Sequence, residues 1–209
     1  MRLGSGFAPL RERRFRLLFG ARTVSTFGGT MADVALAFAV LGIGGPSDLG
    51  LVILAREVPL VVLLLLGGVW SDRLPRHLVL VSSDIVRAVT QAGTAALLLT
   101  GHATILLIAL LQVFYGAVNA FGRPAYQGVV PQVVATGGLQ RANALLGLSY
   151  STVGIAGPAL GAVIVAAAAP GWALAVDAFT FTLSALLLVR LDLPRTLRLS
   201  GHSVLADFR

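Results

Sequence analysis

The chain has 209 residues, 56% of them apolar and 12% charged, with a formal charge of +7 and a mean hydropathy of +0.88. Soluble domains carry roughly 25% charged residues, so a compact soluble enzyme is excluded and a lipid bilayer is the expected solvent. The 16 basic residues are all arginine, gathered mainly at the ends of apolar runs with no nucleic-acid-binding motif, and the absence of cysteine removes disulfides and thiolate metal sites. No nucleic-acid partner, metal or organic cofactor is expected.

Six apolar runs of helical length follow one another, at about 16–42, 49–70, 78–99, 103–122, 143–168 and 172–191. They predict an all-α membrane protein with six transmembrane helices in a bundle over 16–193. A basic tail (1–15) precedes it and a polar segment (194–209) follows. Arginines mark alternate connections: the tail, the turn with Arg73 and Arg76, the stretch flanked by Arg123 and Arg141, and the segment with Arg190, Arg195 and Arg198. Connections 43–48, 101–102 and 170–171 have none. Positively charged short loops stay cytoplasmic, so both termini are expected inside a multi-pass protein of the cell membrane.

Each run carries polar residues that a lipid-facing helix would avoid. In the first, Arg22, Thr26, Thr30 and Asp33 are spaced four, four and three, which places them on one face. That stripe rises about 16 Å and is expected to face an aqueous cavity. The second run holds adjacent Arg56 and Glu57, and matching depth predicts an ion pair between Arg56 and Asp33 on the neighbouring helix. Asp84 and Arg87, three apart in the third run, can pair on one face.

In the fourth run Gln112, Gly116, Asn119 and Arg123 repeat the helical spacing as a second cavity face. Residues 124–142, interrupted by Pro124, Pro131 and several glycines, suit a short interfacial helix and a loop. In the fifth run Gly147, Ser151, Gly154, Pro158 and Gly161 form a small-residue face for close helix approach. Pro158 also removes the amide that would bond the Gly154 carbonyl, so a bend is expected. Asp177, the lone acid of the sixth run, reads as an interfacial or capping group.

Two segments resemble a known family. Gly68-Val69-Trp70-Ser71-Asp72-Arg73-Leu74-Pro75-Arg76-His77 resembles the G-x-x-x-D-R-x-G-R-[RK] loop signature of the major facilitator superfamily, with Pro75 and His77 as departures. Gly157-Pro158-Ala159-Leu160-Gly161-Ala162 resembles the G-P-x-x-G-G antiporter signature of exporters in that superfamily, Ala162 replacing the last glycine. The pattern is most similar to twelve-span drug and siderophore exporters of the enterobactin and macrolide type.

The resemblance implies one major-facilitator bundle of two inverted three-helix repeats, the N-terminal half of a transporter. It implies proton-coupled export of amphipathic small molecules, with the small-molecule substrate and H+ as partners. Gly68, Asp72, Arg73, Arg76, Asp84 and Arg87 would form a loop latch, Asp72 meeting a helix N-terminus of the opposite half. Gly154, Gly157, Pro158 and Gly161 would form the antiporter-like motif. The family's fourth-span arginine aligns with Gln112, which leaves the coupling mechanism open.

A second six-span half is therefore expected: a missing C-terminal part, a separate chain, or a second copy, with truncation or fragmentation preferred. Ala206-Asp207-Phe208-Arg209 resembles the start of a central linker cut short. The alternative is a membrane interaction or assembly subunit that does not transport. Enzymes fit poorly: His77, His102 and His202 lie outside the runs, so an intramembrane hydrolase lacks its buried base, and without lysine no phosphate-binding G-x-x-x-x-G-K loop exists.

Overall fold

The structure, a computed structural model, describes residues 6–67, 75–135 and 137–191, except for the side chains of 65–67. Among the described residues six α-helices follow in order: α1 (Arg13–Ile43), α2 (Pro46–Gly67), α3 (Arg76–Leu99), α4 (Ile105–Val129), α5 (Leu139–Ala167) and α6 (Pro170–Val189). Short 3-10 turns lie at Ala8–Arg11 and Val130–Gln132.

Local chemistry sets the boundaries. The Gly45 amide donates to Asp48 Oδ2 at 2.7 Å, closing the turn into α2. Thr104 caps α4 by accepting from the Leu107 amide at 3.3 Å. Pro170 opens α6, where its missing amide hydrogen would have had no helical partner. Gly101, at φ +74, lets the chain reverse between α3 and α4.

Several boundaries differ from expectation: α2 begins at Pro46 and α5 at Leu139, three and four residues early. α1 begins at Arg13, so it takes in part of the basic tail. α4 runs on through Pro124 to Val129, so the expected interfacial helix shrinks to the 3-10 turn at Val130–Gln132. Proline keeps a helical φ and removes one backbone bond; the burial of Ala125 and Val129 in an apolar cluster favours continuing the helix past it.

Among the described residues four helical segments, α1, Ile105–Gln132, α5 and α6, are long and apolar enough to cross a membrane. α2 and α3 reach 22 and 24 residues but carry Arg56 with Glu57, and Asp84 with Arg87. The packing order is α5, α1, α6, α3, α4, α2, each helix lying mainly against the next in that series. Apart from α3 and α4, helices that are consecutive in the chain touch little.

Along the bundle, two apolar clusters bracket a polar layer. One gathers Phe15, Leu18, Leu80, Val129 and Leu188; the other gathers Met31, Val40, Val52, Ile108 and Leu174. Between them α3 buries Asp84, Arg87, Thr90, Gln91 and Thr94, α4 buries Gln112 and Asn119, and α6 buries Asp177, Thr180 and Ser184. The outward surface holds Leu54, Val89, Leu106, Ile155 and Phe179 instead. Polar groups inside with apolar groups outside reverse the arrangement water would impose and suit a lipid solvent.

Glycines bring helices close at two seams. A Cβ on Gly116 of α4 would run into the backbone oxygen of Arg56 on α2. Cβ atoms on Gly157 and Gly161 of α5 would run into Thr30 and the Met31 carbonyl of α1.

Candidate functional site

The first polar centre joins α1, α2 and α4. Arg56 Nη1 donates to Asp33 Oδ1 at 2.6 Å, the pair expected from their matching depth. Its Nε lies 3.5 Å from Glu57 Oε1, and its guanidinium carbon sits 4.9 Å from the Tyr115 ring centre. Side-chain exposure is 51% for Asp33 and 46% for Glu57 but 21% for Arg56, so the cation is enclosed while the acids stay open. With Glu57 and the Tyr115 face still in place, Asp33→Asn is expected to lower stability by about 1 kcal/mol or less, measured by thermal melting in detergent micelles.

The second centre joins α3 and α6 and reaches α1 and α4. Arg87 Nη2 donates to Asp84 Oδ1 at 2.8 Å, its Nε to the Ser83 carbonyl at 3.2 Å, and its carbon lies 4.7 Å from the Phe181 ring. Ser184 Oγ donates to Asp84 Oδ2 at 2.6 Å. Arg22 of α1 lies 4.9 Å over the Tyr126 ring of α4. Arg22, Asp84, Arg87, Tyr126 and Ser184 line a cavity of 20 Å³, room for about one water.

The third centre holds Asp177, which is fully buried rather than interfacial or capping. α6 starts at Pro170, so Asp177 lies about 10 Å along the helix. Gln91 Nε2 donates to Asp177 Oδ2 at 2.6 Å, Thr180 Oγ1 lies 3.3 Å from Oδ1, and Gln112 Nε2 donates to Gln91 Oε1 at 3.4 Å. Gln112 Oε1 is buried without a donor. Gly28 of α1 provides the clearance: a Cβ there would meet Asp177 and Thr180.

The expected polar stripes are therefore redistributed. Successive helix residues turn 100°, so Arg22 and Asp33 lie only about 20° apart, whereas Thr30 has moved about 80° round. Thr30 Oγ1 accordingly donates to the Phe27 carbonyl and packs on Gly157, at the contact with α5 rather than in a cavity. Thr26 is half-buried. On α4, Gln112 and Asn119 are buried and Gly116 is pressed on α2, so they do not line an open cavity face, while Arg123 is exposed.

The α5 stripe is also shifted. Gly147, Ser151 and Gly154 are exposed; the seam on α1 is built from Ser149, Val153, Gly157 and Gly161, with Pro158 half-buried beside it. Ser149 and Thr23 share a hydrogen bond of 2.7 Å across it. Of the latch residues, Gly68, Asp72 and Arg73 lie outside the described residues. Arg76 Nη1 donates to the Gly128 carbonyl at 2.7 Å, tying α3 to the end of α4.

Sequence reasoning missed Gln91, Thr180, Ser184 and Tyr115. A signal was present: the third and sixth runs carry polar triads, 84-87-91 and 177-180-184, with the same spacing of three and four.

Residues 4–200 match the MFS_3 family model, described as transmembrane secretion effector. The uncharacterized MFS-type transporter YkuC of Bacillus subtilis (strain 168) is 27% identical over 190 residues, 90% of this chain and 44% of that protein. The multidrug efflux pump Tap of Mycolicibacterium fortuitum is 29% identical over 156 residues, 72% of this chain and 38% of that pump. The chain thus spans less than half the length of these curated relatives.

Proposed function

Because the chain belongs to the major facilitator superfamily of membrane transporters, we propose that it forms a six-span bundle, termini on the cytoplasmic side, serving as one half of a proton-coupled exporter of amphipathic small molecules. The observation that carries this reading is the polar layer buried between two apolar clusters, in a bundle whose outer surface is apolar. Ionisable groups at that depth are costly to keep and belong to ion or substrate pathways. The partly open Asp33–Arg56–Glu57 cluster is the place for a polar substrate group or a proton to enter.

The contact pattern supports two repeats. Exchanging α1 with α4, α2 with α5 and α3 with α6 converts the α1–α5 seam into α4–α2 and the α1–α6 seam into α4–α3, and returns α3–α6 to itself. Three crossings per repeat start the second repeat on the opposite side of the bilayer, which makes the repeats inverted. The resemblance to exporters and the printed activity of Tap favour outward transport of drug-like molecules.

The test is flux of an amphipathic dye from vesicles holding the chain together with its second half. Flux several-fold faster under an imposed proton gradient than without it is expected. Flux equal to that of empty vesicles under both conditions would overturn the transporter reading in favour of an assembly subunit.

A further inference from the structure

We infer that Asp177 is a proton-binding carboxyl, alternating between COO− and COOH through a paired flip of the Gln91 and Gln112 side-chain amides. The inference rests on the proton-coupled reading above and assigns a residue to it.

The two-fold pattern supplies an internal comparison. Asp84 accepts from Ser184, and Asp177 accepts from Gln91. Both members of each correspondence, Asp84 with Asp177 and Gln91 with Ser184, lie 93 residues apart, so one α3–α6 hydrogen bond maps onto the other. The same step carries Arg87 to Thr180. A glycine lies beside each acid's helix: Gly28 faces Asp177 and Thr180, and Gly122, 94 positions on, faces Ser83 and Arg87. The two acids therefore occupy equivalent positions and differ in the neighbour three residues on. Asp84 has a guanidinium at 2.8 Å; Asp177 has a hydroxyl.

Among the described residues no basic nitrogen lies within 4.0 Å of Asp177. An ionised carboxyl buried without a countercharge is far costlier than a neutral one, and holding a proton removes that cost. The charged or titratable groups facing it are Asp33 of α1, Arg87 of α3 and Tyr115 of α4. α5, which barely touches α6, offers Arg141 and the exposed Tyr150.

The amides explain how a proton is accommodated. In the observed orientation Gln91 donates to Asp177, Gln112 donates to Gln91, and Gln112 Oε1 has no donor, an arrangement that suits the ionised acid. An amide flip exchanges its oxygen for its NH2 group. When H+ binds Asp177, the new O–H donates to Gln91 Oε1, and Gln91 Nε2 donates to Gln112 Oε1. Gln112 Oε1 then has a donor, while the Gln112 NH2 group takes the position at which the oxygen had no partner. No covalent bond forms besides O–H, and the proton leaves by the reverse flip.

Infrared difference spectroscopy of the full chain in lipid, recorded between neutral and acidic pH, tests this directly. A carbonyl band of a protonated, solvent-shielded carboxyl is expected on acidification, abolished by Asp177→Asn and retained in Asp33→Asn. Gln91→Leu keeps the acid but removes its donor, and is expected to move the band and the pH at which it appears. A band that survives Asp177→Asn, or one indifferent to Gln91→Leu, would overturn the assignment. Failure of dye flux in the unaltered protein would instead count against the transporter reading, with the infrared result still deciding Asp177.

Discussion

Asp84→Ala is expected to destabilise the bundle by about 3–5 kcal/mol, because it strands the Arg87 guanidinium inside the protein. Arg87 is 7% exposed, and its charged partner is Asp84 at 2.8 Å. The Ser83 carbonyl and the Phe181 face remain after the substitution, but neither neutralises a full charge. Ser184 also loses the acceptor it meets at 2.6 Å. The check is the unfolding free energy in mixed micelles for the single variant and for Asp84→Leu combined with Arg87→Met. Removing both charges leaves no orphan, so the double variant is expected to regain most of the loss. A single variant costing less than about 1 kcal/mol would show that the pair is not sealed from water.

Gly116→Val is expected to be nearly as damaging, at about 3 kcal/mol, the upper part of the overpacking range. Its Cβ would collide with the carbonyl of Arg56, which is main chain and cannot rotate away as a side chain could. α2 is held chiefly by α4, so the displaced seam has little else to retain it. Arg56 would move with its backbone and lengthen the contact to Asp33. Faster hydrogen exchange confined to α2 is the measurement, with Gly154→Val as reference. Gly154 has open space around its Cβ position, so that change is expected to leave exchange unaltered. Equal exchange in the two variants would remove Gly116 as the close contact of the seam.

The sequence made helices legible because apolar runs bounded by glycine, proline and arginine need only local information. The Asp33–Arg56 contact was also accessible, since depth along two antiparallel helices can be counted. Pro124 misled because a breaker in isolation is tolerated where the following turn buries Ala125 and Val129. The α1 stripe misled for a geometric reason: steps of four drift by about 40° each, so Thr30 left the face that Arg22 began. Asp177 was misplaced because its environment comes from Gln91, 86 positions away, and from Gly28 on a third helix. Such partners follow from the packing order, which no local pattern states.

That packing order also dictates how the molecule must be assembled as it leaves the ribosome. The short connections would let α1 pair with α2, and α5 with α6, as hairpins, yet those neighbours scarcely meet in the finished bundle. α1 finds its principal partners only when the fifth and sixth helices arrive, and α2 has none until the fourth. Arg56 can meet Asp33 and Glu57 as soon as α1 and α2 are both present, but Arg22 must wait for the Tyr126 ring that α4 brings. Long-range contacts of this kind slow folding, and the interval before α4 is inserted is the period when an insertase or chaperone has most to protect.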